Sequence, residues 1–215
     1  MLQAPVTIAL IAFTTVISVT AWNRDAMQGR WMFNPYKIHH HRQWYRFISS
    51  GFIHANTWHF FFNMFTFYFF GSMMERIYRY YFDETGIVWL LLTYLGGMAA
   101  ANIKTYFDYR DEPTYNSLGA SGGVSAILFA AILYQPTASI CLYFAICIPA
   151  FILGGLYLIY TYYQGRRGTD NINHDAHLYG SLFGILVTVA IRPVVAGEFI
   201  QHIRHFSLEG FRLFM

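Results

Sequence analysis

Ser121 stands in the stretch Asn116-Ser117-Leu118-Gly119-Ala120-Ser121-Gly122-Gly123, a turn of small residues that opens directly into the apolar run Val124 to Tyr134. A serine framed by Gly119 and Gly122 at the start of an apolar helix is a candidate nucleophile, provided that a base and a set of donors reach it. His177 can supply the base. It shares one helical stripe with Gly180, Ser181 and Gly184, small residues that let a second backbone pack closely. His59 and Asn63, four positions apart, lie on one face of their helix and can act on one oxygen. The chemistry this set could do is acyl transfer, with His177 taking the proton of Ser121 and returning it to a leaving amine. The backbone N–H groups of Ser121 and Ala120, with the His59 and Asn63 side chains, would meet the developing oxyanion. Asp175, two positions from His177, points to another part of its helix surface, so the reading is a Ser–His dyad without a third acid.

Each residue also has a duller reading. A serine in an apolar helix commonly bonds back to the carbonyl four residues earlier, which is the expectation for Ser125. Gly119 to Gly123 also spells G-x-S-x-G, but that nucleophile elbow needs a preceding strand and an α/β sheet, and nothing in this chain supplies one. An ionisable group at membrane depth carries a functional presumption, and here three helices supply such groups together.

The elements that must position these residues are membrane helices. The 215 residues are 56% hydrophobic, 20% aromatic and only 12% charged, far from soluble composition. Six apolar segments of spanning length are expected at about 5–22, 57–74, 86–106, 119–134, 137–162 and 174–192, followed by an amphipathic tail at 193–215, all in a single domain covering 1–215. In such a chain the second, fourth and sixth helices begin on the same side, and their first turns hold His59 with Asn63, Ser121, and His177. From Ser121 to Tyr134 the fourth helix is only about 20 Å long at the helical rise, so its start lies below the surface of a hydrocarbon layer of about 30 Å. The long first connection, 23–56, mixes five Lys or Arg with Trp31, Phe33, Tyr36, Trp44, Tyr45 and Phe47, as suits a structured loop lying in the interface. His39-His40-His41 within it reads as solvated. Cys141 and Cys147 read as buried packing residues of the fifth helix rather than a disulfide. Pro149 and Gly154-Gly155 predict that this helix is pliable near its middle and that it moves with the loop 164–170. The net charge of +3 has no long basic run, which argues against nucleic acid, and the N-terminus lacks the positive region of a cleavable signal.

These motifs resemble the rhomboid family of intramembrane serine proteases. Gly119-Ala120-Ser121-Gly122 looks like the family's GxSG, His59 to Asn63 like its HxxxN, and Ala176-His177-Leu178-Tyr179-Gly180 with Gly184 like its AHxxGxxxG. His54, Arg46, and Gly71 with Glu75 also fall where the family places such residues, as supporting structure. The resemblance implies an all-α, six-helix membrane bundle with a long interfacial first loop. It further implies a serine endopeptidase with Ser121 as nucleophile, His177 as base, and His59 and Asn63 in the oxyanion hole. The implied partners are transmembrane protein substrates and membrane lipid, with no metal, cofactor or nucleic acid. The implied location is a bacterial inner membrane, with the site opening to the outer side. This sequence departs from the family in three respects. Ser125 stands where many members carry an aromatic stacked beneath the base. Tyr45, after Trp44, precedes Arg46, where Trp is common. Nine Lys or Arg fall on the nominally outer side against five on the inner, the reverse of positive-inside. The alternatives are a catalytically inactive rhomboid-like binding factor, or a metal-dependent enzyme or transporter built on His54, His59, His174 and His177.

Overall fold

The computed structural model describes residues 4–142, 146–167 and 172–206. It is mainly helical, and its architecture starts from the first helix, α1 (Pro5–Trp22), with proline in the first turn, where no N–H is needed. The remaining free amides of that turn are taken by a carboxylate from another helix. Glu75, on α5 (Thr57–Phe82), accepts from Val6 N at 3.1 Å, from Thr7 N at 2.7 Å and from the Thr7 hydroxyl at 2.8 Å. Glu75 has no exposed surface, so an acid buried among apolar helices here serves as the cap and dipole partner of α1.

The connection from α1 to α5 folds as short helices: α2 (Asp25–Trp31), α3 (Pro35–His41), α4 (Arg46–Ser49) and a 3₁₀ turn at Ser50–Phe52. Asn34 caps α3 by accepting from Lys37 N at 2.7 Å. Arg46 is 2% exposed, and its guanidinium donates to the carbonyls of Gly29 and Met32 and to Gln43 Oε1. A buried cation is tolerable because it satisfies the carbonyls at the end of α2. Phe33, Ile38 and Tyr106 form a separate small core beneath this layer.

The second apolar segment runs two turns beyond the expected end at residue 74, because Tyr78 continues its buried face. Asp83, at φ +50°, reverses the chain into α6 (Gly86–Ala101). The third segment breaks at Asn102, whose side chain donates to Met98 O at 3.0 Å, and continues as α7 (Ile103–Tyr109). The fourth helix is α8 (Ser121–Tyr134), buried along almost its whole length and packed against α5, α6 and the later helix α10 (His174–Ile191). A chain as apolar as α8 is stable only when sheathed in this way or in lipid.

The fifth segment is the largest correction. Instead of one helix over 137–162, the chain forms a hairpin of β1 (Ser139–Leu142) and β2 (Ile146–Pro149) and then α9 (Ala150–Arg167). A continuous apolar run carries no period to separate strand from helix, and proline disfavours helical backbone in the residue before it, so the helix begins only after Pro149. Cys141 and Cys147 face each other across the hairpin as a disulfide, not as packing residues of a helix. Pro149 therefore precedes α9 rather than interrupting it, which removes the expected mid-helix weak point.

Among the described residues, three helical stretches are long and apolar enough to cross a membrane: Pro5–Trp22, the run Thr57–Tyr109 that contains α5 and α6, and His174–Ile191. With Ser121–Tyr134 as a shorter apolar helix, and large side chains such as Phe13, Phe62, Val88 and Leu186 facing outward, this is an integral membrane protein. The last described helix is α11 (Val194–Arg204). It is held by Arg192, which pairs with both carboxylate oxygens of Glu198 and lies over the Tyr81 ring. The tail beyond residue 206, expected to be amphipathic, and residues 168–170 of the expected mobile loop lie outside the described residues.

Candidate active site

Gly119 adopts φ +120°, a conformation that a side chain would make costly, and a Cβ there would sit 2.5 Å from His59 Cε1. Glycine thus allows the chain to turn sharply under the His59 ring. Its N–H donates to Ser50 O at 2.9 Å, and a two-way backbone pairing of Phe33 with Ser117 anchors the same loop to the first connection.

The next amide, Ala120 N–H, donates to His54 Nε2 at 3.3 Å. Nε2 is then the acceptor, so Nδ1 carries the proton and donates to Ser18 Oγ at 2.9 Å, and the Ser18 hydroxyl donates to Phe52 O at 2.9 Å. Trp22 Nε1 donates to His54 O at 2.7 Å. This chain of bonds ties the start of α8 to α1. Burial pushes the His54 pKa down to about 3, assisted by the neighbouring His59, so the ring stays neutral. The Ala120 N–H, expected to be an oxyanion donor, is committed to His54.

Ser121 is the first residue of α8 and is half-buried. The first N–H to find a helical acceptor is that of Val124, on Ala120 O at 3.0 Å, which leaves the amides of Ser121, Gly122 and Gly123 at the positive end of the helix. Among the described residues Ser121 Oγ has no hydrogen-bond partner.

Helices α8 and α10 touch backbone to backbone. A Cβ on Gly180 would lie 2.9 Å from Gly122 Cα, and one on Gly184 would lie 2.7 Å from Ala126 Cα. Both contacts step by four residues in the same sense, so the helices run parallel, and one turn back along α10 the half-buried His177 is level with the start of α8. Gly122 in turn has no room for a side chain against Ala101 Cβ. The Tyr157 ring, on α9, lies nearly parallel to the His177 ring, with centroids 6.2 Å apart and planes 18° apart. The Tyr157 hydroxyl is 3.4 Å from Ser125 Oγ, so Ser125 bonds across to α9.

Asn63 is buried and donates to His59 O at 2.8 Å, while the His59 ring meets that of His54 edge to face at 5.1 Å. The structure therefore gathers His54, His59 and Gly119 around the entry to α8. Asp175 turns away from the site: its carboxylate pairs with Lys104 at 2.8 Å and packs against Gly165. Sequence reasoning missed Asn173, which caps α10 and also donates to the Thr105 and Tyr115 hydroxyls, an N-cap residue three before the helix's own Ala176. It missed Ser18, one of three hydroxyl residues with Thr7 and Thr14 on the buried face of α1, and Tyr157, one aromatic among many. The His39, His40 and Asp111 side chains, all exposed, form a group whose donor atoms lie within 4.8 Å of one another and could hold a metal ion.

A family model for the rhomboid domain matches residues 41–194. The chain belongs to the rhomboid family. The rhomboid match takes in every helix from α4 to α10 and with them His54, His59, Asn63, Ser121 and His177. Among curated relatives, the chain is 32% identical over 160 residues to RHOMBOID-like protein 12, mitochondrial, of Arabidopsis thaliana, covering 67% of this chain and 46% of that protein. It is 26% identical over 188 residues to Rhomboid-like protein 11, chloroplastic, of the same plant, covering 84% of this chain and 64% of that protein. The chain thus spans about half to two thirds of the length of these relatives.

Proposed function

We propose that this rhomboid chain is an intramembrane serine endopeptidase that hydrolyses peptide bonds in or near transmembrane segments of other membrane proteins. The observation that carries the reading is the parallel, backbone-close packing of α8 on α10 at Gly122–Gly180 and Ala126–Gly184, which supports pairing the serine at the start of α8 with the histidine one turn before Gly180. In the reaction His177 takes the Ser121 proton as Oγ attacks the scissile carbonyl, then passes it to the leaving amine, and a water repeats the sequence on the acyl-enzyme. Oxyanion charge falls to the amides at the start of α8, that of Ser121 foremost, with Asn63 and His59 as side-chain donors. Asn63 keeps a second amide hydrogen for this while bonding its own helix, and the Ala120 amide, held by His54, orders the turn instead. The reading extends to α1, α5, α6, α8, α9 and α10 as six passes of one domain. By the family resemblance it also extends to a bacterial inner membrane with the site on the outer side.

A rhomboid-like binding factor without catalysis is the second reading, favoured by the names of the curated relatives, which are called rhomboid-like. A fluorophosphonate probe on purified protein separates the two. The protease reading expects labelling at Ser121 and cleavage of a model transmembrane substrate, both abolished by Ser121→Ala and by His177→Ala with thermal stability near wild type. Cleavage that persists in either variant rules out the dyad, and an intact substrate with an unlabelled Ser121 leaves the binding factor.

A further inference from the structure

Ser125 is one turn along α8 from Ser121, on the same face, and its small side chain carries no ring to set beside the base. The space beside the imidazole is filled from another helix. Tyr157 reaches in from α9 with its ring 18° from the plane of His177, and its hydroxyl contacts Ser125 Oγ. A nearly parallel ring restricts rotation of the imidazole, while the hydroxyl contact fixes how far the tyrosine enters. His174 meets His177 from another direction, edge to face, so the base lies between two rings.

The helix that carries Tyr157 is thinly seated. Only Ala150, Gly154 and Thr161 of α9 are buried, whereas Leu156, Ile159, Tyr162 and Tyr163 face outward. One turn before Tyr157, Gly154 lies close against α8, where a Cβ would come 2.9 Å from Ile132 Cδ1. Gly155 beside it faces open space.

Resting on the protease reading above, we infer that Tyr157 is the positioning residue for the base His177, and that its place on α9 makes alignment of the base depend on α9 being seated against α8. An aromatic on α8 would hold the imidazole whatever α9 did. Here the ring that holds it leaves with α9, so the catalytic pair is assembled only in the closed arrangement.

The test compares Tyr157→Phe, Tyr157→Leu and the double variant Ser125→Tyr with Tyr157→Ala, which moves the ring onto α8. Tyr157→Leu is expected to lower kcat ~10–100-fold with KM within about two-fold, since a misplaced base weakens the chemical step and not substrate binding. Tyr157→Phe, which keeps the ring, should stay within about three-fold of wild type, and the double variant should recover most of the loss. Gly154→Phe, whose ring is too large for a shift of the Ile132 tip to accommodate and so lifts α9 from α8, should lower kcat in the Tyr157 protein and have little effect in the double variant. Equal rates in wild type and Tyr157→Leu, or a loss as large in Tyr157→Phe, overturn the inference. Should Tyr157→Leu not fold, Tyr157→Met, whose flexible side chain fills similar volume, carries the same comparison. A readout independent of turnover is the His177 imidazole signal in histidine-labelled protein, assigned with His177→Gln. Its ring-current shift should vanish in Tyr157→Leu and persist in Tyr157→Phe. An inactive wild type that shows this pattern would defeat the protease reading and leave the positioning contact intact, whereas an active wild type without it would do the reverse.

Discussion

His54 Nε2 accepts the amide of Ala120 at 3.3 Å, and through this bond a neutral imidazole holds the residue immediately before Ser121. Its pKa is near 3 in the fold against an ordinary value of 6.5. The unfolded chain therefore binds a proton that the native ring refuses between those values. Stability from this group is complete above about pH 6.5 and falls as pH drops toward 3, with a slope of at most about 1.4 kcal/mol per pH unit. His54→Gln, whose carbonyl can accept from Ala120 while its amide donates to Ser18, should flatten the dependence of thermal stability on pH between 6.5 and 4. An unchanged acid slope in that variant would mean that other groups set it.

If the chain is the protease proposed above, Asn63→Ala or His59→Ala is expected to lower kcat by ~10–10³ without abolishing turnover, because each would supply one of several donors to the oxyanion. Steady-state kinetics on a transmembrane substrate measures this. A change confined to KM would place these side chains in substrate binding instead.

Glu75→Gln replaces an acceptor-only carboxylate with an amide whose NH₂ faces the N–H groups of α1. Loss of about 3 kcal/mol is expected, from broken charge-assisted bonds and unsatisfied donors. Thermal unfolding in detergent would show it, with proteolytic susceptibility rising at the N-terminus. Stability equal to wild type would show that α1 is capped by other means.

Gly184→Val should be among the most damaging single substitutions, since its side chain would overlap the backbone of Ala126. Overpacking of this kind costs about 1–3 kcal/mol or more, and on the protease reading separating α8 from α10 would also part the proposed dyad of Ser121 and His177. Fluorophosphonate labelling of whatever folded fraction remains should fall more steeply than the folded fraction itself. Labelling that only tracks the folded fraction would show the helix spacing to be catalytically neutral.

Much of the candidate site's local arrangement was legible in the sequence because its rules are local. The four-residue spacing of His59 and Asn63, the small stripe Gly180 to Gly184 and the break from turn to apolar run at Ser121 each follow from helical periodicity. Counting segments gave the expectation that three helices start on one side, and of this the fold shows α8 and α10 running parallel. The segments 5–22 and 174–192 match α1 and α10 to within a residue, because polar residues or proline bound them. Only the tertiary structure could decide features that depend on partners far along the chain. A continuous apolar run gives no sign that Ser139–Leu142 pairs with Ile146–Pro149 and closes the Cys141–Cys147 disulfide, since strand pairing depends on the partner strand as well as on local period. The buried carboxylate of Glu75 acquires its role only where α5 meets the start of α1, 68 residues away from Thr7. The Ala120 amide looks free in any helix N-terminus, and it takes the fold to bring His54 against it. Tyr157 is one of seventeen tyrosines, and nothing in its neighbours marks it. Its contact with His177 exists because α9 packs beside α8 where Ser125 leaves room, and that complementarity belongs to two helices together rather than to either sequence alone.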